Sequence, residues 1–570
     1  MIHFIPSPPP NGRQILPADE WTSTAQHPSQ SCSWQLTASG NQRVKACQLE
    51  HTSETETWSV KEAPKFGLDA SPASRRCDGY RPARQGTVSL HQPNQVFPGV
   101  TKVSEGRALQ YFCEIAGPVM SGAVDPYFWT HVVMQFSNFE PAVRHAVISI
   151  SSLYEEAQGT FEATAVVRHS NQNLALHHYN AAIHELRAMD SQEKQPIILL
   201  VCVLFICVEI MRANRKAALQ HSRHGVEILK SISPDYMFSW TMEHLLPIFR
   251  RLSEFALFFG DEESDFPDIR ALEGPMPQFF LTFSDAQLML DVLFNRTAVF
   301  MRTQRNTQRA ASKSPEPDET GTPPPSLLSE QAAINSLLDQ WFKLYNDFMA
   351  IKPKEAPTQN SQNSKSDSDR PKMLHCFLLT RYECCCIWLN MAFDTSEAGY
   401  DRYITNFRRI LKRLLWLEAE VPDPLSFNTS KHPHFIFEAG FGAMLFFLVS
   451  SCRELETRLE FLRLMPVLGL PRENLWEADV LVAAARKIIE LEHDIKLDIH
   501  GRPVSSPSFV QPPGEMRVTD LWTESQMRPD SLQMDDQGVS HRTIQVVRRD
   551  SKGQTYLQSE NLVVNGRMTG

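Results

Sequence analysis

The segment Ile197–Val208 is an unbroken apolar run, preceded by Pro196 and followed at once by Glu209. A helix that crosses a bilayer needs roughly 20 such residues. This run is too short, so it predicts a helix buried in a protein core. Its surroundings are helical as well. Glu140-Pro141 opens a helix with proline in the first turn. Val143, Ala146, Val147, Ile150, Leu153 and Tyr154 then share one face. Residues 171–187 and 197–212 continue as helices. Residues 218–230 carry Leu219, Ser222, Val226 and Leu229 on one stripe. Gly225 inside that stretch costs about 1 kcal/mol against alanine, a cost that close helix–helix approach would offset. Further helical stretches are predicted near 241–259, 284–303, 327–350, 372–394, 401–418, 436–467 and 476–497. No convincing run of alternating strand residues and no fixed repeat period is found.

The expected fold is therefore all-α, a large multi-helix array with disordered N- and C-terminal segments. The array is expected over residues 101–500. Polar loops interrupt it near 304–326, with Ser314-Pro315 and Pro323-Pro324-Pro325, and near 352–371. Residues 1–100 are rich in Ser, Pro, Gln and Thr and read as disordered or as degenerate sequence. Residues 501–570 are expected to be a disordered tail. Within that tail, Asp520-Leu521-Trp522-Thr523-Glu524 mixes acidic and bulky apolar residues. Such composition can serve as an activation segment, but a featureless tail is the preferred reading.

A formal net charge of -10 gives the 570-residue chain no overall pull toward nucleic acid, so any basic surface must be local. One local candidate is the helix over 401–418. Ile404, Phe407, Leu411, Leu414 and Leu415 form its apolar face, and Arg408, Arg409, Lys412 and Arg413 its basic one. The N-terminus, Met1-Ile2-His3-Phe4-Ile5 and then prolines, lacks the charged and apolar regions of a signal peptide. Eleven cysteines show no secreted-type framework, and Cys384-Cys385-Cys386 cannot all face one partner on a helix. Reduced thiols fit better than disulfides. There is no Gly-x-Ser-x-Gly elbow, no phosphate loop and no His-Glu-x-x-His, so no enzyme is expected.

Near the N-terminus stands Arg75-Arg76-Cys77-Asp78-Gly79-Tyr80-Arg81-Pro82. It resembles the closing end of the fungal six-cysteine binuclear zinc cluster, a DNA-binding module of transcription factors. Such a cluster needs two Cys-x2-Cys pairs converging on two zinc ions. No Cys-x2-Cys occurs in this sequence, and the first hundred residues offer only Cys32, Cys47 and Cys77. Arg43-Val44-Lys45-Ala46-Cys47 is similar to the basic stretch around the family's third ligand, with Ala46 as an insertion, or is a chance match. Either an exon upstream of Arg75 is mis-predicted or the module has decayed.

The helical region, over roughly 100–497, resembles the regulatory domain that follows such clusters. The resemblance rests on Tyr111-Phe112, Asp125 to Trp129 and Pro141 to Ala146, then on Ala217-Ala218-Leu219-Gln220-His221 with Gly225 and Ile228-Leu229. It closes with Phe437-Glu438-Ala439-Gly440, Cys452-Arg453-Glu454 and Leu475-Trp476-Glu477-Ala478.

The resemblance implies a nuclear transcriptional regulator of the zinc-cluster class. Arg75, Arg76, Arg81 and Arg84 would contact DNA, and Cys77 would be a remnant metal ligand. Zinc is the cofactor it implies, although the chain offers no complete binuclear site. The implied partners are DNA, if an intact cluster exists upstream, the transcription machinery or another regulator, and a small-molecule effector; no membrane is expected. It transfers no catalytic residue. The alternative is a helical ligand-binding or scaffold protein of that ancestry without DNA recognition. His221 and His224 are expected to be helix-surface or packing histidines, Cys452 a small buried residue and Trp476 a core or helix-packing anchor. Sustained heptads for a dimerising coiled coil are missing between Arg84 and Ala108.

Overall fold

The computed structural model describes residues 97–565, apart from 123, 125, 159–164, 190–193, 233–237, 260–268, 270–271, 273, 314–322, 352–364, 395, 422–433, 509, 524–538 and 551–553. Arg75, Arg76, Cys77, Arg81 and Arg84 lie outside the described residues, as do Cys32 and Cys47.

The described chain is predominantly helical, as the periodicity predicts. It opens with α1 (Val103–Tyr111), α2 (Gly117–Met120) and α3 (Val133–Phe139). Then come α4 (Pro141–Gln158), α5 (Ala165–Arg187), α6 (Gln195–Met211) and α7 (Arg215–Ser231). Next are α8 (Leu246–Phe259), α9 (Phe283–Lys313), α10 (Pro325–Ile351) and α11 (Lys365–Asn390). The array ends with α12 (Ile404–Glu420), α13 (Phe441–Ser451), α14 (Leu455–Leu468) and α15 (Ala478–His493).

Helix α6 is the apolar run. Its residues Leu199 to Ile210 are all buried, enclosed by α4 and α7. Glu209, the acid that ends the run, is also buried. It is satisfied there by Asn214 Nδ2 at 2.8 Å and Arg212 Nη1 at 3.3 Å. Asn214 then caps α7, its side chain accepting from the Ala217 amide. On α4, Val143, Ala146, Val147 and Ile150 are fully buried, and the Tyr154 hydroxyl donates to the Phe435 carbonyl at 3.1 Å. On α7, Gly225 fills the predicted role. A β-carbon there would stand 2.3 Å from Phe249 Cε1 and 3.1 Å from Cys202 Sγ, so α7 comes close to α6 and α8 because Gly225 has none.

Three expectations are corrected. The loop near 304–326 is shorter than expected, because α9 runs to Lys313 and α10 begins at Pro325. Likewise α11 begins at Lys365, inside the loop placed at 352–371. The helix expected over 436–467 is two, α13 and α14, broken where Cys452 turns to extended backbone with φ -78 and ψ 125.

The C-terminal segment departs most. Residues 501–570 were expected to form a disordered tail, yet β3 (Val518–Thr523), β4 (Val539–Arg549) and β5 (Thr555–Asn565) form an antiparallel sheet. Its register pairs Ile544 with Glu560 and Val546 with Gln558. The sheet packs on α15 through β5, burying Leu521, Ile544, Val546, Leu562 and Val564. One face meets the helices and the other meets water, so its composition is that of a tail. A small ribbon, β1 (Arg472–Glu473) with β2 (Trp476–Glu477), sits between α14 and α15.

Candidate ligand cavity

Part of the stretch that resembles a closing motif, Phe437 to Gly440 and Trp476, lines a cavity of about 140 Å³. Phe437, Glu438, Ala439 and Gly440 form one wall, leading into Ala443, Phe447 and Ser450 of α13. Helices α8, α9 and α11 contribute Arg251, Phe294, Phe377, Arg381 and Trp388. Tyr400, Asn474 and Trp476 line it from the short elements between helices, and Val518 and Thr519 reach it from β3. The surface is dominated by aromatic rings, the lining that small organic ligands favour.

The charges in this wall are paired with one another. Arg251 forks onto Glu438, Nε to Oε2 at 2.7 Å and Nη2 to Oε1 at 2.8 Å. Its third nitrogen donates to Asp291 Oδ2 at 2.7 Å, and Arg381 Nη1 donates to Asp291 Oδ1 at 2.7 Å. The Arg381 guanidinium also lies 4.4 Å from the centre of the Phe294 ring. Burial opposes the Arg251 charge, but the Glu438 and Asp291 carboxylates override it and hold the pKa above the usual value. Two cations and two anions thus cancel.

A second cluster lies beside it. Arg453 Nη2 donates to Glu397 at 2.9 Å and approaches Glu492 at 3.5 Å, while its Nη1 donates to the Ser451 carbonyl at 2.8 Å. Arg458 Nη1 donates to Glu492 Oε2 at 2.6 Å. Burial works against the Glu492 charge, yet Arg458 and Arg453 keep its pKa below the usual carboxylate value. Glu492 also accepts from the Val518 amide at 2.7 Å. Arg517, one residue earlier, forks onto Asp401 at 2.9 and 2.8 Å. These contacts fix the start of β3 at the cavity.

Glu473 braces the other side. Its carboxylate accepts from the amides of Gly440 at 3.0 Å, Gly442 at 2.9 Å and Leu470 at 3.1 Å. Burial pushes its pKa up to about 7, against the pull of these three donors. A β-carbon on Gly440 or Gly442 would stand 2.7 or 3.0 Å from the carboxylate oxygens. Two polar atoms in the lining have no hydrogen-bond partner among the described residues: Asn474 Nδ2 and Ser450 Oγ. Both residues are more than nine-tenths buried, at 1% and 8% exposure.

Residues 107–264 match the model of the fungal specific transcription factor domain. The matched segment of that domain holds α6, α7 and Gly225 and gives the cavity Val124, Arg251 and Leu252. The rest of the lining lies beyond the match. The chain is also similar to the Aspercryptin biosynthesis cluster-specific transcription regulator of Emericella nidulans, at 27% identity over 190 residues. That alignment covers 27% of this chain and 30% of the relative, so the chain spans less than a third of that protein. No solved structure matches the chain.

The remaining sequence candidates take structural places. His221 packs its ring against Phe205, with Nε2 3.4 Å from the Tyr179 hydroxyl. Among the described residues, no group of three or more His, Cys, Asp or Glu side chains could hold a metal ion. Cys452 is fully buried, and Trp476 is 8% exposed. The three arginines of the basic face of α12 are paired. Arg408 bonds Glu454, Arg409 forks onto Glu383 at 2.6 Å, and Arg413 approaches Glu383 at 3.5 Å. Its apolar stripe is Phe407, Ile410, Leu414 and Leu417, whereas Leu415 is 36% exposed.

Nothing in the linear order of residues marks the partnership between Arg251, Asp291, Arg381 and Glu438. These residues belong to different elements, and Glu438 stands 187 positions from Arg251. A lone charge inside a helical pattern was the available signal, and many exposed residues share it.

Proposed function

We propose that this chain is a transcriptional regulator of the fungal zinc-cluster class that acts in the nucleus and not as an enzyme. Its helical body takes up a small-molecule effector in the cavity between α8, α11 and α13. The match of residues 107–264 to the fungal specific transcription factor domain carries the reading. The similarity to a cluster-specific transcription regulator supports it. Among the described residues no helix is long and apolar enough to cross a membrane.

DNA contact falls to the basic stretch containing Arg75, Arg76, Arg81 and Arg84, whose guanidinium groups suit phosphate oxygens. The donor set does not fit a binuclear zinc cluster. Six thiolates are needed, whereas Cys32, Cys47 and Cys77 are the only cysteines before the helical body. No step is therefore assigned to zinc.

That donor count favours a second reading, a co-regulator of the same ancestry that works through an intact DNA-binding partner. Selection from a random DNA duplex library with the purified full chain separates the two. Enrichment of one sequence supports direct reading of DNA, and salt-sensitive binding without enrichment supports the co-regulator. Metal analysis giving two zinc ions per chain would overturn the reading of the donor set. Exclusion of the tagged chain from nuclei in its host, with and without inducing metabolites, would sink both readings.

A further inference from the structure

We infer that the cavity takes an uncharged aromatic molecule of one or two rings that carries a hydrogen-bond acceptor, and that Asn474 and Ser450 receive its polar end. This rests on the effector reading above and goes beyond it in naming the ligand class.

Three observations lead there. The first is size and lining. A cavity of about 140 Å³ walled by Phe294, Phe377, Trp388, Phe437, Tyr400 and Phe447 has ring-sized dimensions. Apolar cavities of roughly 150 Å³ take up benzene.

The second is charge. Every charge in the wall has an internal counter-charge. Arg251 and Arg381 meet Glu438 and Asp291, and Glu397 meets Arg453. An anionic or cationic ligand would have to draw one member out of such a pair, and breaking a buried pair is strongly unfavourable. An uncharged ligand leaves both clusters intact.

The third is the pair of unpartnered polar atoms. The Asn474 amide nitrogen can only donate, and the Ser450 hydroxyl can donate or accept. Asn474 keeps its own carbonyl oxygen occupied with the Leu475 amide. Its backbone is left-handed, with φ 49, which holds the side chain on the β1–β2 turn at the cavity wall. A ligand carbonyl or ether oxygen suits this donor pair.

The test is a calorimetric titration of the full chain with acetophenone and with benzoate. They share one ring, and one carries a neutral acceptor while the other carries a charge. Acetophenone is expected to bind, and benzoate at least tenfold more weakly. Asn474→Gly, which tolerates the left-handed backbone, and Ser450→Ala should each weaken acetophenone about tenfold, the loss of one hydrogen bond. Ala443→Phe should abolish binding by filling the space; if that variant does not fold, the two smaller changes decide. Benzoate binding as tightly as acetophenone, with the same sensitivity to Asn474→Gly, overturns the ligand class and leaves the effector reading standing. No binding of either compound overturns both. Acetophenone binding that ignores all three substitutions overturns the site.

Discussion

Gly225 and Phe249 meet where α7 crosses α8, and the phenyl ring occupies the space that a side chain at position 225 would need. Alanine is the better helix former by about 1 kcal/mol, but forcing a methyl group into a filled contact costs about 1–3 kcal/mol. Gly225→Ala should lower the urea unfolding midpoint. A variant with a raised midpoint would show that the ring has room to move.

Asp291 bridges two arginines and is 1% exposed. Asp291→Asn removes the charge that Arg251 and Arg381 share. The expected destabilisation is roughly 3–5 kcal/mol, as for a buried pair that loses one member. Chemical denaturation of the variant measures it, and a loss below about 1 kcal/mol would mean that water reaches the arginines.

Two imidazoles are in contact on the far side of α4. His145 Nδ1 and His178 Nδ1 are 2.8 Å apart, with Glu105 3.8 Å from His178 Nε2. Burial lowers the pKa of His178 to about 4, with His145 adding to the shift and Glu105 opposing it; burial also lowers His145. The unfolded chain then binds more protons than the folded one between the ordinary histidine value and about 4. Stability should therefore rise with pH across that window and fall by about 1–3 kcal/mol as acid is added from pH 7 to 5. His178→Gln should flatten the slope, and an unchanged slope would assign the acid sensitivity to other groups.

Removing residues 518–565 tests the C-terminal sheet directly. A disordered tail could be cut without consequence. Here the cut uncovers the α15 face against which β5 packs and deprives Glu492 of the Val518 amide. The truncated chain should melt lower and bind a hydrophobic dye. An unchanged melting temperature would show that the sheet adds nothing to the helical body.

The helical body was legible because its signals are local. The α4 stripe, the α6 run and the need for Gly225 at a crossing each lie within one helix and follow from a spacing of three and four residues. What stayed hidden depends on partners distant in the chain. Ile544-x-Val546 and Leu562-x-Val564 are alternating pairs too short to stand out, and their meaning comes from the pairing of β4 with β5 and of β5 with α15. On α12 the choice between Leu415 and Ile410 turns on the direction of the neighbouring helices, which spacing alone leaves open. The arginines of α12 read as a basic face until Glu383 and Glu454 are seen opposite them. Of the cavity, only Phe437 to Gly440 and Trp476 stand in a stretch that the sequence singles out; the rest of the lining comes from segments far apart in the chain.

Glu473 and the two glycines facing it form an interdependent triplet. With the carboxylate seated on the amides of Gly440 and Gly442, a side chain at either position would crowd its oxygens and push the acid off its donors. Conversely, loss of the acid would leave three amide hydrogens unanswered in the interior. The three positions therefore form one unit: the acid answers the backbone that the glycines leave open, and a change at any one of them is felt by the other two.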